Sequence, residues 1–445
     1  MSPELLRNIW LQLTPRRMLL MTGALVLAFF VAALPGGLSE GPVLAARGLY
    51  VLIVIVFGTR ATALAIAGEI RGRTWDGQRL SAIGPAAMTL GKLLGPPIYF
   101  WYGGILCLAT LAVGTAAKTG LVAAATETVF YLLLGICAEA AALLASLAAI
   151  RRHRTISGSL VFFFQCAGLA VAMVFGACWL LLGLGTVGVQ SFSWWGLALE
   201  PRNLLLMSLG ACVFWLIIGC YRGIRRELGF ENGPLVWLSF LVFVGAYASG
   251  FGSLLAGLAV LSRFDGLGRT LALTLAALVA STYVMMLIEP KDRNRYRAIM
   301  RGSRRVLIAP DAFLMSYLAS AIAGIVLSIH EFQIQTSWAV PALVAALLGL
   351  VVRDMAIFIT AHARPRGDGT DGSAIAILIL SYLVFPAIAA GLGLERVLFV
   401  FYPVPSVPFW LGATVAWVEA SAAVTVAIAR LSLPINFSRE KAAPA

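Results

Sequence analysis

Residues 69–92 read EIRGRTWDGQRLSAIGPAAMTLGK, from Glu69 to Lys92, and they lie between two strongly apolar segments. The stretch is polar and Arg-rich, yet it holds Trp75, a side chain of the kind usually buried, among charges. A bulky aromatic in a charged loop between membrane-type segments points to a docking surface.

Working outward, the flanking segments belong to a chain of 445 residues in which 60% are hydrophobic and only 12% charged, with a mean hydropathy of +0.92. A water-soluble domain of that length does not have such a composition. A hydrocarbon core about 30 Å thick takes roughly 20 apolar residues per helix. On that measure the expected spans are 18–34, 43–68, 88–116, 120–150, 157–183 and 202–220, then 236–261, 268–288, 312–329, 338–360, 374–393 and 407–430. The predicted fold class is therefore an all-α integral membrane protein with about 12 transmembrane helices. An even count places both termini on one side. With the N-terminus in the cytosol, only Arg47, Lys118, Arg202, Arg263, Arg269 and Arg396 of the 33 basic residues fall outside, as the positive-inside rule requires. The net charge of +13 thus has a membrane explanation and calls for no nucleic-acid partner. The localisation expected is the plasma or inner membrane.

The stretch 69–92 resembles the membrane subunits of type-2 ATP-binding-cassette (ABC) exporters, in which the second transmembrane helix leads into a short cytosolic coupling helix. The family's run is a Glu, a Gly-Thr or Arg-Thr pair, an aromatic or Leu with an acid, a Leu-rich turn, a Thr-Pro-Leu-Ser-like turn, and Gly-Lys opening the third helix. The matching positions are Glu69, Arg73 and Thr74, Trp75 and Asp76, Leu80, Ser81 to Pro85, and Gly91 with Lys92. Two positions depart from the pattern: Arg73 stands where Gly is commonest, and Ala82 where the turn usually has its first Pro. The resemblance implies that Trp75 and Leu80 are apolar knobs in a groove of a cytosolic ATPase. It also implies that Glu69, Arg73 and Asp76 supply charge pairs that set the register.

The first residues lack the basic region, short apolar core and small-residue cleavage site of a signal peptide. Instead Leu5, Leu6, Ile9, Trp10 and Leu13 recur at helical spacing, so residues 1–17 are expected as an amphipathic helix on the inner membrane surface. In the family resembled, such an elbow helix precedes the first span; an ordinary cytosolic anchor is the other reading. Ionisable residues within spans are costly unless paired, wet or able to snorkel. Arg60 in the second span and Glu139 in the fourth lie at comparable depth, with Glu127 nearer the outer end. They read either as an ion pair between packed helices or as a polar patch along a translocation path. Arg353 and Asp354, and Glu419 in the last span, read as helix-packing or interfacial groups, with Glu419 a further candidate for a pathway. The RRHR turn at 151–154 is an orientation signal. Trp194 and Trp195, in the external stretch after the fifth span, are expected at the outer interface. In the family resembled, that stretch holds two short re-entrant helices.

The chain's layout repeats. Glu289 opens a second long cytosolic loop 220 residues after Glu69, and Pro310 follows Pro85 at an offset of 225. The expected domains are two tandem six-span units of the same orientation, 18–220 and 236–430. A linker at 221–235, a basic loop at 289–311 and a cytosolic tail at 431–445 complete the layout. The basic loop reads as a second, degenerate coupling region or as a contact for anionic lipid.

No GxxxxGK[ST] phosphate loop is present, so ATP and Mg would belong to a partner ATPase and no cofactor is expected in this chain. His153, His330 and His362 are far apart in sequence, and the six cysteines lack CxxC spacing. Neither metal nor disulfide is indicated, and no nucleophile, base and metal group marks an enzyme. The function expected is the permease of an ABC exporter, partnered by cytosolic ATPase subunits, membrane lipid and, if six spans are the working unit, a second permease copy. An ATP-independent transporter with Glu139 and Glu419 as coupling groups, or a membrane scaffold, are the alternatives.

Overall fold

Long runs of Leu, Ala, Val, Ile and Phe form helices in lipid because only a helix satisfies every backbone polar group within one segment. The computed structural model describes residues 2–34, 40–150, 158–183, 191–253, 255, 261–289, 291, 293–300, 311–363, 370–402 and 408–432. The protein is an all-α multi-pass membrane protein: among the described residues eleven helices are long and apolar enough to cross a membrane. The chain divides into two compact units, Met1–Phe192 with Leu199–Asn232, and Ser193–Ala198 with Gly233–Ala445.

The first unit contains α1 (Pro3–Gln12), α2 (Pro15–Ala33), α3 (Gly41–Arg71), α4 (Trp75–Arg79), α5 (Pro85–Leu94), α6 (Ile98–Thr119), α7 (Leu121–Ile150), α8 (Gly158–Gly183) and α9 (Pro201–Glu227). Its centre is α7, which packs against α3, α6, α8 and α9. Across the α3–α7 contact the Tyr50 hydroxyl donates to the Tyr131 carbonyl at 2.8 Å. Close approach on the other side depends on Gly168 of α8, where a Cβ would lie 2.3 Å from the Ala138 carbonyl oxygen. Small residues of this kind let membrane helices touch backbone to backbone. By contrast α2 buries only Leu25 and leaves Leu19, Val26, Leu27 and Phe30 exposed, a surface suited to lipid.

The second unit contains α10 (Leu235–Ser249), α11 (Gly266–Ile288), α12 (Arg293–Met300), α13 (Ala312–Gln335), α14 (Ala339–His362), α15 (Gly372–Gly391) and α16 (Phe409–Ser432), with a 3-10 turn at Glu395–Val400. Its most buried span is α14, and Gly349 of α14 lies against Ala416 of α16.

Four expectations are corrected. The third span, expected unbroken over 88–116, is two helices, because Pro96 and Pro97 lack the N–H groups that would continue the ladder and the chain turns between Leu94 and Ile98. Residues 221–227, expected in a linker, continue α9. The stretch after the fifth span is a hairpin among its described residues, with no re-entrant helix. Phe192–Trp194 (β1) pairs with Leu197–Leu199 (β2) through a turn with φ of +50° at Trp195 and +77° at Gly196. Two successive positive φ values match the twist of a tight hairpin. The seventh span, expected over 236–261, is helical in α10 for 15 residues, about 22 Å at 1.5 Å per residue. That is short of a bilayer core. In this unit the hairpin tip meets the end of α10. Trp194 Nε1 donates to the Tyr247 carbonyl at 3.2 Å and Trp195 Nε1 to Ala246 at 3.0 Å, while the Trp195 N–H reaches the Gly250 carbonyl at 3.1 Å. The RRHR turn, residues 301–310 of the basic loop with Pro310, and the tail beyond 432 lie outside the described residues.

Candidate functional site

The segment at 69–92 folds as a helix end, a turn, a short helix and a second helix. After α3, Arg73 takes a φ of +54°, a left-handed conformation that costs a side-chain-bearing residue about 1–2 kcal/mol and suits glycine. The chain thereby reverses into α4, whose five residues follow Thr74. The Thr74 hydroxyl lies 3.4 Å from the Glu69 carbonyl.

Trp75 is 5% exposed. It belongs to a buried apolar cluster with Ile66, Met88, Leu93, Leu143, Leu147 and Ile224, which corrects the expectation of a surface knob: an apolar ring at the first position of so short a helix is drawn into the core beneath it. Arg79 fastens the other end, Nε donating to the Glu227 carbonyl of α9 at 2.8 Å. Exposed in and beside α4 are Arg73, Thr74, Asp76, Gly77, Arg79 and Leu80, and Leu80 is 88% exposed.

Lys92, expected to open the third helix as a partner-coupling residue, lies in α5 and is 0% exposed. Its ammonium forms ion pairs with Glu4 of α1 and Glu69 of α3 and donates to Gln78 Oε1 at 2.7 Å. Gln78 Nε2 in turn donates to Glu69 Oε1 at 2.6 Å. Arg7 reaches the same Glu69 oxygen at 3.8 Å. The joint therefore holds α1, α3, α4 and α5 through one buried cation, and neither Lys92 nor Glu69 is a surface contact. Burial pushes the Glu4 carboxyl above its ordinary value, with the Lys92 charge opposing that rise.

The helix α1 docks by its polar side. It buries Glu4 and Asn8, one turn apart, and exposes Leu6, Trp10 and Leu11. Gly91 and Gly95, one turn apart on α5 and just beyond it, make the room: a Cβ at Gly91 would come 3.0 Å from Glu4 Cβ, and one at Gly95 2.6 Å from Asn8 Nδ2. Glu4, Asn8 and Gln78 were not among the residues singled out from sequence; the i, i+4 spacing of Glu4 and Asn8 on one side of α1 was the available signal.

Within the spans, the Arg60–Glu139 pair does not form. Glu139 is 0% exposed and accepts from Trp101 Nε1 at 2.8 Å. It faces Gly58, where a Cβ would meet its Oε1 at 2.6 Å. Arg60 lies two residues further on, about 200° around the helix, and its Nη1 is 3.4 Å from Gln165 Oε1. Glu127 is the acid with an Arg partner here: Arg47 Nε lies at 2.7 Å and Thr115 Oγ1 at 3.0 Å.

Glu419 does acquire a partner. Arg353 of α14 donates to Glu419 Oε2 at 2.7 Å and to Asp354 Oδ1 at 3.0 Å, and its Nη2 is buried without a hydrogen-bond partner. Tyr283 of α11 and Tyr382 of α15 both donate to Asp354 Oδ2 at 2.7 Å. Tyr382 lies in a π-helical stretch, Leu380–Val384, an irregularity that turns a side chain out of its regular position. The two tyrosines carried no sequence signal, being two among eleven in apolar runs. The cluster joins α11, α14, α15 and α16.

Compared with known proteins, the chain matches no protein-family model and no curated protein.

Proposed function

We propose that this chain is the membrane permease of an ATP-binding-cassette exporter and draws its energy from a separate cytosolic ATPase. The observation that carries the reading is α4. It is a short helix at the end of the second span, pinned from below by Trp75 and Arg79 and offering Asp76, Thr74 and Leu80 outward. An exposed leucine beside charges on an anchored helix suits a partner's groove. The Lys92 joint then makes α4 continuous with α1, α3 and α5, so that a displacement of α4 moves a span with it. In this reading Leu80 is the knob and Asp76 and Arg73 set register, while Trp75, Glu69 and Lys92 transmit.

The test is gentle purification of the tagged protein from its native membranes with identification of companions by mass spectrometry. A Leu80→Asp, Asp76→Ala variant is run alongside. A Walker-motif ATPase recovered with the parent and at least about tenfold depleted with the variant is the expected result, in the range of an interface anchor. Equal recovery, or none under conditions that preserve other complexes, overturns it.

A second reading, an ion-coupled transporter, draws on the Arg353–Asp354–Glu419 cluster, since ionisable groups inside spans mark ion and substrate paths. It is favoured if Asp354→Asn or Glu139→Gln stops gradient-driven flux while the α4 variant leaves it intact.

A further inference from the structure

At one end of the second unit, the start of α11 meets the end of α13, and the sequence separates the residues involved by 65 positions. Asp265 caps α11, its Oδ1 accepting the Gly268 N–H at 2.6 Å. The same oxygen lies 3.0 Å from His330 Nε2. Glu331, next in the chain, is 1% exposed; its Oε2 accepts from Gln335 Nε2 at 2.8 Å, and its Oε1 is buried with no hydrogen-bond partner. A carboxylate oxygen buried and unpaired is costly, and this one is aimed at the other two groups. One ligand atom from each of Asp265, His330 and Glu331 lies within 4.8 Å of the others.

Gly268 is what leaves the space open. A Cβ there would sit 2.1 Å from Glu331 Oε1 and 2.7 Å from Asp265 Oδ1, so any other residue would fill the point on which both oxygens converge. We propose that Asp265, His330 and Glu331 form a binding site for a divalent first-row transition ion, with Zn2+ the best fit. An imidazole among the ligands selects against Mg2+ and Ca2+, which take oxygen alone. Two carboxylates and one imidazole suit zinc with water in the remaining position. The Gly268 N–H and the Gln335 amide hold the two carboxylates in place, as outer-shell donors do at metal centres. The ion clips the first turn of α11 to the last turn of α13. The exposed edge of Asp265 gives the ion entry.

The experiment uses the full chain without a histidine tag, in detergent, with Zn2+ competed against a chromophoric chelator and Co2+ read by its visible d–d absorption. One equivalent bound per chain at micromolar or lower Zn2+, with a Co2+ spectrum of four- or five-coordinate intensity, is the expected result. Glu331→Gln and His330→Ala should each weaken binding at least about tenfold, the usual scale for losing a metal-site group. Gly268→Ala keeps all three ligands and should weaken binding as well. Monodisperse elution and an unchanged melting temperature without metal show that each variant is folded; a variant that fails this check is replaced by Asp265→Asn. Absence of stoichiometric Zn2+ binding, equal binding by the folded variants, or preference for Ca2+ over Zn2+ overturns the proposal. These outcomes do not depend on the ATPase reading.

Discussion

Lys92 is the residue on which the cytosol-expected end of the first unit turns, because a single ammonium compensates two carboxylates that would otherwise face each other in a dry joint. Removing one partner from a buried pair leaves an uncompensated charge and costs about 3–5 kcal/mol. Lys92→Met is therefore expected to lower the melting temperature of the detergent-solubilised protein markedly, and adding Glu4→Gln to it should restore part of the loss. Stability that rises further when Glu4 stays charged beside Met would contradict the joint. Glu4 also makes docking of α1 pH-dependent. Its carboxyl in the folded protein titrates above the ordinary value of 4.5 because burial disfavours the anion. Between the ordinary value and the raised one, the docked helix holds a proton that the free helix has already released; above both, Glu4 is the anion that Lys92 compensates. Docking is strongest below the ordinary value and weakens as pH rises through the raised one, by linkage. A spin label at Trp10→Cys should gain mobility across that window, and Glu4→Gln should remove the dependence. Reading this joint from sequence was possible only in part: Lys92 stood out as a charge beside an apolar run, but its acid partners sit 88 and 23 positions away, and no local spacing announces them.

At the scale of elements, helix packing in the first unit depends on where small residues fall. The contact of α8 with α7 runs through Gly168, with the Ala138 carbonyl 2.3 Å and the Thr59 methyl 2.7 Å from a would-be Cβ. Gly168→Val must push α8 outward, and overpacking of this kind costs about 1–3 kcal/mol. The expected outcome is a lower melting temperature, whereas Gly176→Val on the same helix, where a Cβ meets nothing within 4 Å, should be neutral; equal effects would refute the contact. The existence of each long helix was legible because a run of apolar residues has one solution in lipid. Its interruptions were less so. Pro96 and Pro97 carry a break that proline chemistry predicts, whereas the carbonyls in the last turn of α10 are met by Trp194 and Trp195, some fifty residues earlier.

At the scale of the molecule, the two units each carry a core centred on one heavily buried helix, α7 and α14, with side chains such as those of α2 turned outward. The distribution of Lys and Arg predicts that Leu80 and Lys118 lie on opposite sides of the membrane. In a background lacking the native cysteines, Leu80→Cys should react with a membrane-impermeant maleimide only after the membrane is opened, and Lys118→Cys in intact cells. Labelling of both from the same side would reverse or refute the orientation and remove α4 from the reach of a cytosolic ATPase.

The sequence by itself determined that this chain is helical and crosses a membrane many times, because hydropathy summed over some twenty residues is a property of a segment and needs no neighbour. It also marked 69–92 as the place where polar chemistry enters, since charge there stands out against the apolar runs. Tertiary structure decided which of those residues face outward. It buried Trp75 and Lys92, left Leu80 outside, separated Arg60 from Glu139, joined Glu419 to Arg353, and brought Asp265 to His330 and Glu331. Pairing of charges depends on the rotation of one helix against another. A shift of two residues along a helix reverses its face, and that rotation is set by packing contacts between segments far apart in the chain.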